Sequence, residues 1–166
     1  MLNTLSKTWV LVSLFIATLA IGYSFSFAQD ATGGLLLDML GTGEEAKARL
    51  SEMSPDQKTA HFWATVLNDT AYPLAYGGLF IGLIWRFSGQ LRQWLILPAV
   101  AVIVADLAEN TTQALALAGN DSLIGLKDIL TPAKFGLFAL AAVMVLLSFG
   151  LALARRFRPK TDTSQA

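Results

Sequence analysis

The stretch Ala105-Asp106-Leu107-Ala108-Glu109-Asn110-Thr111-Thr112-Gln113 is a polar, acidic block inside an otherwise apolar run from Trp94 to Ala118. That run exceeds the ~20 residues a helix needs to cross a bilayer. Asp106, Glu109, Asn110 and Gln113 stand at i, i+3, i+4 and i+7, so a helix gathers them into one stripe. Lipid cannot be what the stripe faces, because an Asp near the helix centre costs roughly 2.5 to 3.5 kcal/mol on insertion. The ten Leu, Ile and Val residues of the run return about 3 to 6 kcal/mol, which two ionised carboxylates cancel. The helix is therefore marginal alone. It requires Asp106 and Glu109 to be neutral, paired, or turned toward a polar interior built by other helices.

The rest of the chain supplies those helices. Of its 166 residues 54% are hydrophobic and only 14% charged, a membrane composition. Its 12 basic and 12 acidic residues balance, so no basic surface points to nucleic acid. The absence of Cys removes disulfides, thiolate metal sites and a thiol nucleophile, and a single His excludes bis-His haem ligation within one chain. No cofactor fingerprint or metal-ligating cluster is present, so neither a cofactor nor a metal is expected.

The fold class read from this pattern is all-α. It is a four-helix transmembrane bundle forming a single membrane domain over 1–166, with spans at about 9–28, 64–87, 94–118 and 135–154. A short extracytoplasmic helical segment, 29–63, joins the first two spans, and 159–166 is expected to be a disordered tail. Trp9 to Ala28 carries no charge and reads as a retained helix. A signal peptide cleaved near Ser26-Phe27-Ala28 is the alternative, and the other spans are unaffected by the choice.

In the outer segment Thr42-Gly43-Glu44-Glu45 and Ser54-Pro55-Asp56-Gln57 both match the capping-box pattern, so each should start a helix, the second running through His61 toward the next span. Pro73 removes the hydrogen bond to the carbonyl of Asp69 and should bend the second span there. Gly78 and Gly82, four apart, would let another backbone approach. Leu123 to Leu130 reads as a short semi-polar piece, and Thr131-Pro132 as the N-cap and first position of the last helix.

Seven of the 12 basic residues, Lys7, Arg86, Arg92, Arg155, Arg156, Arg158 and Lys160, flank the spans on one side. The positive-inside rule then places both termini in the cytoplasm. Counted from Trp94 at about 1.5 Å per residue, Asp106 lies roughly 18 Å and Glu109 and Asn110 about 22 to 24 Å along the helix, in the outer half of the membrane. Asp69 and Tyr72 enter from that side, Lys134 opens the last span there, and Asp38 and His61 lie in the segment covering it. Asp38, Asp69, Tyr72, Asp106, Glu109, Asn110 and Lys134 are accordingly the candidate ligand-binding residues, with Asp106 and Glu109 the candidates for catalysis. Each has a plainer reading. Lys134 snorkels to the headgroups or pairs with Glu109 or Asp106; Tyr72, Tyr76, Trp63 and Trp94 read as interfacial anchors and His61 as a satisfied surface residue.

The set Asp38, Glu44-Glu45-Ala46, Asp69-x-x-Tyr72-Pro73-x-x-Tyr76-Gly77, Asp106-x-x-Glu109-Asn110 and Lys134 resembles a family of small bacterial four-helix integral membrane proteins of unassigned function. The resemblance covers about residues 30 to 155. It implies a multi-pass protein of the bacterial cytoplasmic (inner) membrane and brings no activity with it. In that family a Gly-Tyr-Ser/Thr turn follows the first acid, where this chain has Gly41-Thr42.

Three functions fit. One is an outward-facing acidic/Lys site that binds or acts on a lipid-like or amphiphilic molecule. The second is a proton- or cation-coupled transporter working as a homo-oligomer, and the third a structural or assembly subunit with a membrane partner. Whether the protein is an enzyme is left open. A reporter fused after Ala166 should read as cytoplasmic and one inserted near Gly43 as extracytoplasmic; both on one side would overturn the orientation.

Overall fold

A computed structural model describes residues 1–157. The expected disordered tail at 159–166, and with it Arg158 and Lys160, lies outside the described residues. Those residues form helices, with no strand among them: α1 (Leu2–Leu5), α2 (Thr8–Thr32), α3 (Gly43–Glu52), α4 (Pro55–Ala64), α5 (Thr70–Phe87), α6 (Arg92–Leu95), α7 (Leu97–Leu117) and α8 (Lys127–Arg156). Three helical stretches, Thr8–Thr32, Gly89–Leu117 and Ile124–Arg156, are long and apolar enough to cross a membrane. They contain the expected spans at 9–28 and 135–154 and all but the last residue of the one at 94–118.

The expected 64–87 span is the exception in composition, since Tyr72, Pro73, Tyr76, Arg86 and three glycines dilute its apolar residues. It is nonetheless the element the others surround: α5 packs on α1, α2, α7 and α8. α4 leads into it through a single wide π turn, Thr65–Asp69, so one continuous helical rod runs from Pro55 to Phe87. A π turn inserts a residue into the helix, and such turns recur where a side chain must be re-aimed.

Local chemistry explains the cover over one end of these helices. Thr42 accepts a hydrogen bond from the backbone of Glu45 while the Glu45 carboxylate accepts from the backbone of Thr42, and Ser54 and Gln57 repeat the arrangement with Pro55 at the first position. Both expected capping boxes are thus formed. α3 then lays Ala46, Leu50 and Met53 against Leu37 and against Ala116, Leu117 and Ile124, closing an apolar cluster. A second cluster, Ile81, Ile84, Ala99, Ala141 and Val145, fills the opposite end. There Ser88 and Ser148 share a hydroxyl hydrogen bond of 2.6 Å, and Arg155 of α8 donates to the carbonyl of Ser88 at 2.7 Å.

The start of the last helix differs from the sequence reading. α8 begins at Lys127 and passes through Thr131 and Pro132. The Thr-Pro pair is therefore not its N-cap. Pro132 lies in the second turn, where its missing N–H leaves one carbonyl unbonded, a loss that helices in membranes tolerate when neighbours compensate. The hydroxyl of Thr131 is engaged elsewhere, with Glu109.

Large apolar side chains point outward along the long helices: Phe15, Ile16, Leu19 and Phe27 on α2, Val104 on α7, Leu146 and Leu153 on α8. The opposite holds for the acid-bearing face of α7, where Asp106, Glu109, Asn110 and Gln113 are all buried. The polar stripe faces inward, as the insertion argument requires.

Two glycines mark close backbone contacts. A Cβ at Gly82 would sit 2.6 Å from the carbonyl oxygen of Leu5, and one at Gly43 would sit 2.8 Å from Gly125 Cα and from the carbonyl oxygen of Ile124. Backbone cannot move aside as a side-chain tip can. Gly43→Ala and Gly82→Ala should each lower stability in detergent by about 1–3 kcal/mol, as overpacking does. Gly136→Ala, where open space surrounds the site, should leave the thermal midpoint unchanged or raise it.

Candidate functional site

At the covered end α7 and α8 face each other with complementary stripes. Glu109, fully buried, is the centre. Its Oε1 accepts from the Lys127 ammonium and from the Thr131 hydroxyl, the latter at 2.7 Å. The Lys134 ammonium lies 2.7 Å from its Oε2. Lys127, Thr131 and Lys134 are spaced i, i+4 and i+7, one face of α8, so a single helical stripe supplies three partners to one carboxylate. Lys134 also donates to Asp38 and stands 3.9 Å from Asp106 Oδ1. It pairs rather than snorkels, and it pairs with Glu109 and Asp38 more closely than with Asp106.

Asp106, one turn deeper, takes a different partner. The hydroxyl of Tyr76 donates to its Oδ2 at 2.8 Å. Tyr76 is only 4% exposed, so it lies inside the protein beside Asp106 and not at the surface as the interfacial anchor expected of it. Its aromatic body packs the core while its hydroxyl meets the acid. Trp63 and Trp94 do project outward, at 55% and 73% exposed, as interfacial residues would.

Asn110 has a structural task that follows from Pro73. Because the proline has no N–H, the carbonyl of Asp69 four residues earlier loses its helical donor. Asn110 Nδ2 supplies the replacement at 2.6 Å, tying α7 to the rod at its weak point. On the other side of the rod Asn68 Nδ2 donates to Ser24 Oγ at 2.9 Å, which anchors α2.

His61 is completely buried rather than on the surface. The backbone N–H of Leu37 donates to its Nε2 at 2.8 Å, and its Nδ1 lies 3.2 Å from the Thr65 hydroxyl. Nε2 must carry a lone pair to accept that bond, so the ring is neutral. Burial lowers the imidazole below its ordinary value, and the guanidinium of Arg49 acts in the same direction. The ring therefore fixes the start of the turn Leu37–Met39, and with it the position of Asp38.

Between these elements lies a cavity of about 280 Å³. Its polar lining residues are Gln29, Asp38, Asp69, Tyr72, Tyr76, Asp106 and Lys134, and its apolar ones are Phe25, Leu36, Met39, Phe135 and Phe138. Of the seven candidate binding residues five border this space. Glu109 and Asn110 stand behind it, Glu109 holding Lys134 and Asn110 holding the rod. Lys127 and Thr131 were not among the candidates, although their spacing from Lys134 was the signal that could have found them.

Among the described residues Asp69 Oδ2 is buried without a hydrogen-bond partner, as are Asn110 Oδ1 and both amide atoms of Gln113, while Glu109 Oε2 has the Lys134 ammonium at ion-pair distance without hydrogen-bond geometry. Asp69 is 4% exposed and borders the cavity. Buried polar atoms are normally satisfied, by protein or by a guest molecule. Chemically the space offers carboxylates, an already engaged ammonium, and aromatic and aliphatic side chains.

Comparison of the chain with family models, with curated proteins and with solved structures yields no match.

The fully buried Glu109–Lys127 pair should behave as a unit. Lys127→Met alone should cost about 3–5 kcal/mol of stability because it strands a buried carboxylate. Glu109→Gln should also destabilise, and the double variant should lose less than the sum. Strict additivity in thermal denaturation of the purified protein would contradict the pairing.

Proposed function

We propose that this chain is a multi-pass inner-membrane protein in which residues 64–87, helix α5 with the turn that leads into it, provide a fourth crossing among the three apolar helices, with both termini cytoplasmic. Its acidic/Lys site then opens toward the outer leaflet beneath the segment around Asp38, and binds or acts on a lipid-like or amphiphilic molecule. The observation that carries this reading is the mixed lining of the cavity. A space bordered both by Asp38, Asp69 and Asp106 and by Phe25, Met39, Phe135 and Phe138 suits a molecule with a polar head and an apolar body.

The geometry divides the acids by role. Glu109, paired with two ammonium groups and the Thr131 hydroxyl, serves as a strut. Asp106 and Asp69 face the cavity and are left to meet a ligand. Of the two candidates for proton transfer, Asp106 is the one with access to a bound molecule, and Tyr76 orients it.

Asp106→Asn tests this assignment, since the change nearly preserves shape and hydrogen-bonding capacity. The variant should express and fold as the wild type does. Mass spectrometry of extracts from the purified proteins should find an amphiphile retained by the wild type and at least about tenfold depleted in the variant, as expected when a charged hydrogen bond is lost. Equal retention, together with full complementation of a deletion strain by the variant, would remove Asp106 from the site and favour a purely structural role for the acids.

A further inference from the structure

Charge at the site is unequal. Four carboxylates, Asp38, Asp69, Asp106 and Glu109, converge there with two ammonium groups, Lys127 and Lys134. Both cations are already committed. Lys127 is fully buried on Glu109, and Lys134 is held between Glu109 Oε2 and Asp38 Oδ1. The two acids left over, Asp69 and Asp106, are the two that border the cavity from α5's leading turn and from α7. Asp69 Oδ2 has no donor at all among the described residues, although the residue is 96% shielded by the count of its 4% exposure.

The wall beside these acids is aromatic. Phe25, Tyr72, Tyr76 and Phe138 all line the space. Their rings form a chain of edge-to-face contacts, with centroids 5.4 Å apart for Phe25–Tyr72, 5.3 Å for Tyr72–Tyr76 and 5.2 Å for Tyr76–Phe138. Aromatic faces and carboxylates share one electrostatic preference, for a weakly hydrated cation. An anionic head would meet two carboxylates that no ammonium holds at hydrogen-bond distance, and would have to take Lys134 from its existing partners.

On the reading that the cavity holds an amphiphile, we infer that the head it selects is an alkylammonium, seated between Asp69 and Asp106 against the Tyr72, Tyr76 and Phe138 rings, with its chain along Phe25 and Met39. A cation there supplies the donor or counter-charge that Asp69 lacks. It leaves the Glu109 strut untouched.

Matched probes separate this inference from the reading beneath it. The full chain in maltoside micelles would be titrated with dodecyltrimethylammonium, dodecanoate and dodecanol, each below its own micelle concentration, and the bound stoichiometry read by native mass spectrometry. One dodecyltrimethylammonium should bind per chain at least about tenfold more tightly than dodecanoate or dodecanol, the scale of a desolvated cation–aromatic contact with a counter-charge. Asp69→Asn and Asp106→Asn should each reduce that preference while leaving dodecanol binding unchanged. Equal binding of the three probes would overturn the cation assignment and leave the amphiphile cavity standing. Preference for dodecanoate would overturn it in favour of recognition by Lys134. Failure of all three to bind at one per chain would overturn both the assignment and the cavity's proposed function.

Discussion

A carboxylate buried among helices in an apolar protein is tolerable only with counter-charges at contact distance, and Glu109 has two. Everything at the covered end depends on this arrangement. Lys127, Thr131 and Lys134 come from one face of α8, so meeting Glu109 fixes the rotation of α8 against α7. Lys134 then reaches Asp38 and pins the cover to the helices. A buried ion pair adds little net stability compared with well-packed apolar residues. Its value here is in register, because a rotation of either helix would strand a charge away from water.

The second constraint is backbone chemistry in the α4–α5 rod. The π turn at Thr65–Asp69 and the proline at Pro73 together disturb the regular hydrogen-bond ladder over two turns. Asn110 repairs the carbonyl that Pro73 releases. The same irregular stretch carries Asp69, Tyr72 and Tyr76, three of the polar residues bordering the cavity. Irregular backbone is tolerated where it is buried in protein or lines a cavity, and both conditions hold here. The rod is less apolar than its neighbours because it is built to be surrounded by them.

Much of this was readable from residue spacing. The i, i+3, i+4, i+7 acids on α7 demanded an inward stripe, and all four are buried. The two capping boxes were local signals and formed locally. The start of α8 was not readable in the same way, since Thr131-Pro132 satisfies the rules for a helix start. What decided against it was a tertiary demand: Glu109 needs Lys127 and Thr131 on a continuous helix to receive them both. For the same reason Tyr76 was read as an anchor. A tyrosine near a membrane end is indistinguishable from a site residue until the acid opposite its hydroxyl, here Asp106, is placed. His61 was misplaced on the surface because its partner is the backbone of Leu37, which carries no sequence signature.

If Glu109 is an ionised strut between α7 and α8, infrared spectroscopy of the lipid-reconstituted chain will show it as a carboxylate. With ¹³C-labelled glutamate, the difference between wild type and Glu109→Gln at neutral pH should show loss of a carboxylate stretch and no loss of a protonated-carboxyl stretch. A lost protonated-carboxyl band would contradict the account. It would mean that the lysines of α8 do not hold Glu109 as an anion, and that another force sets the register of α7 and α8.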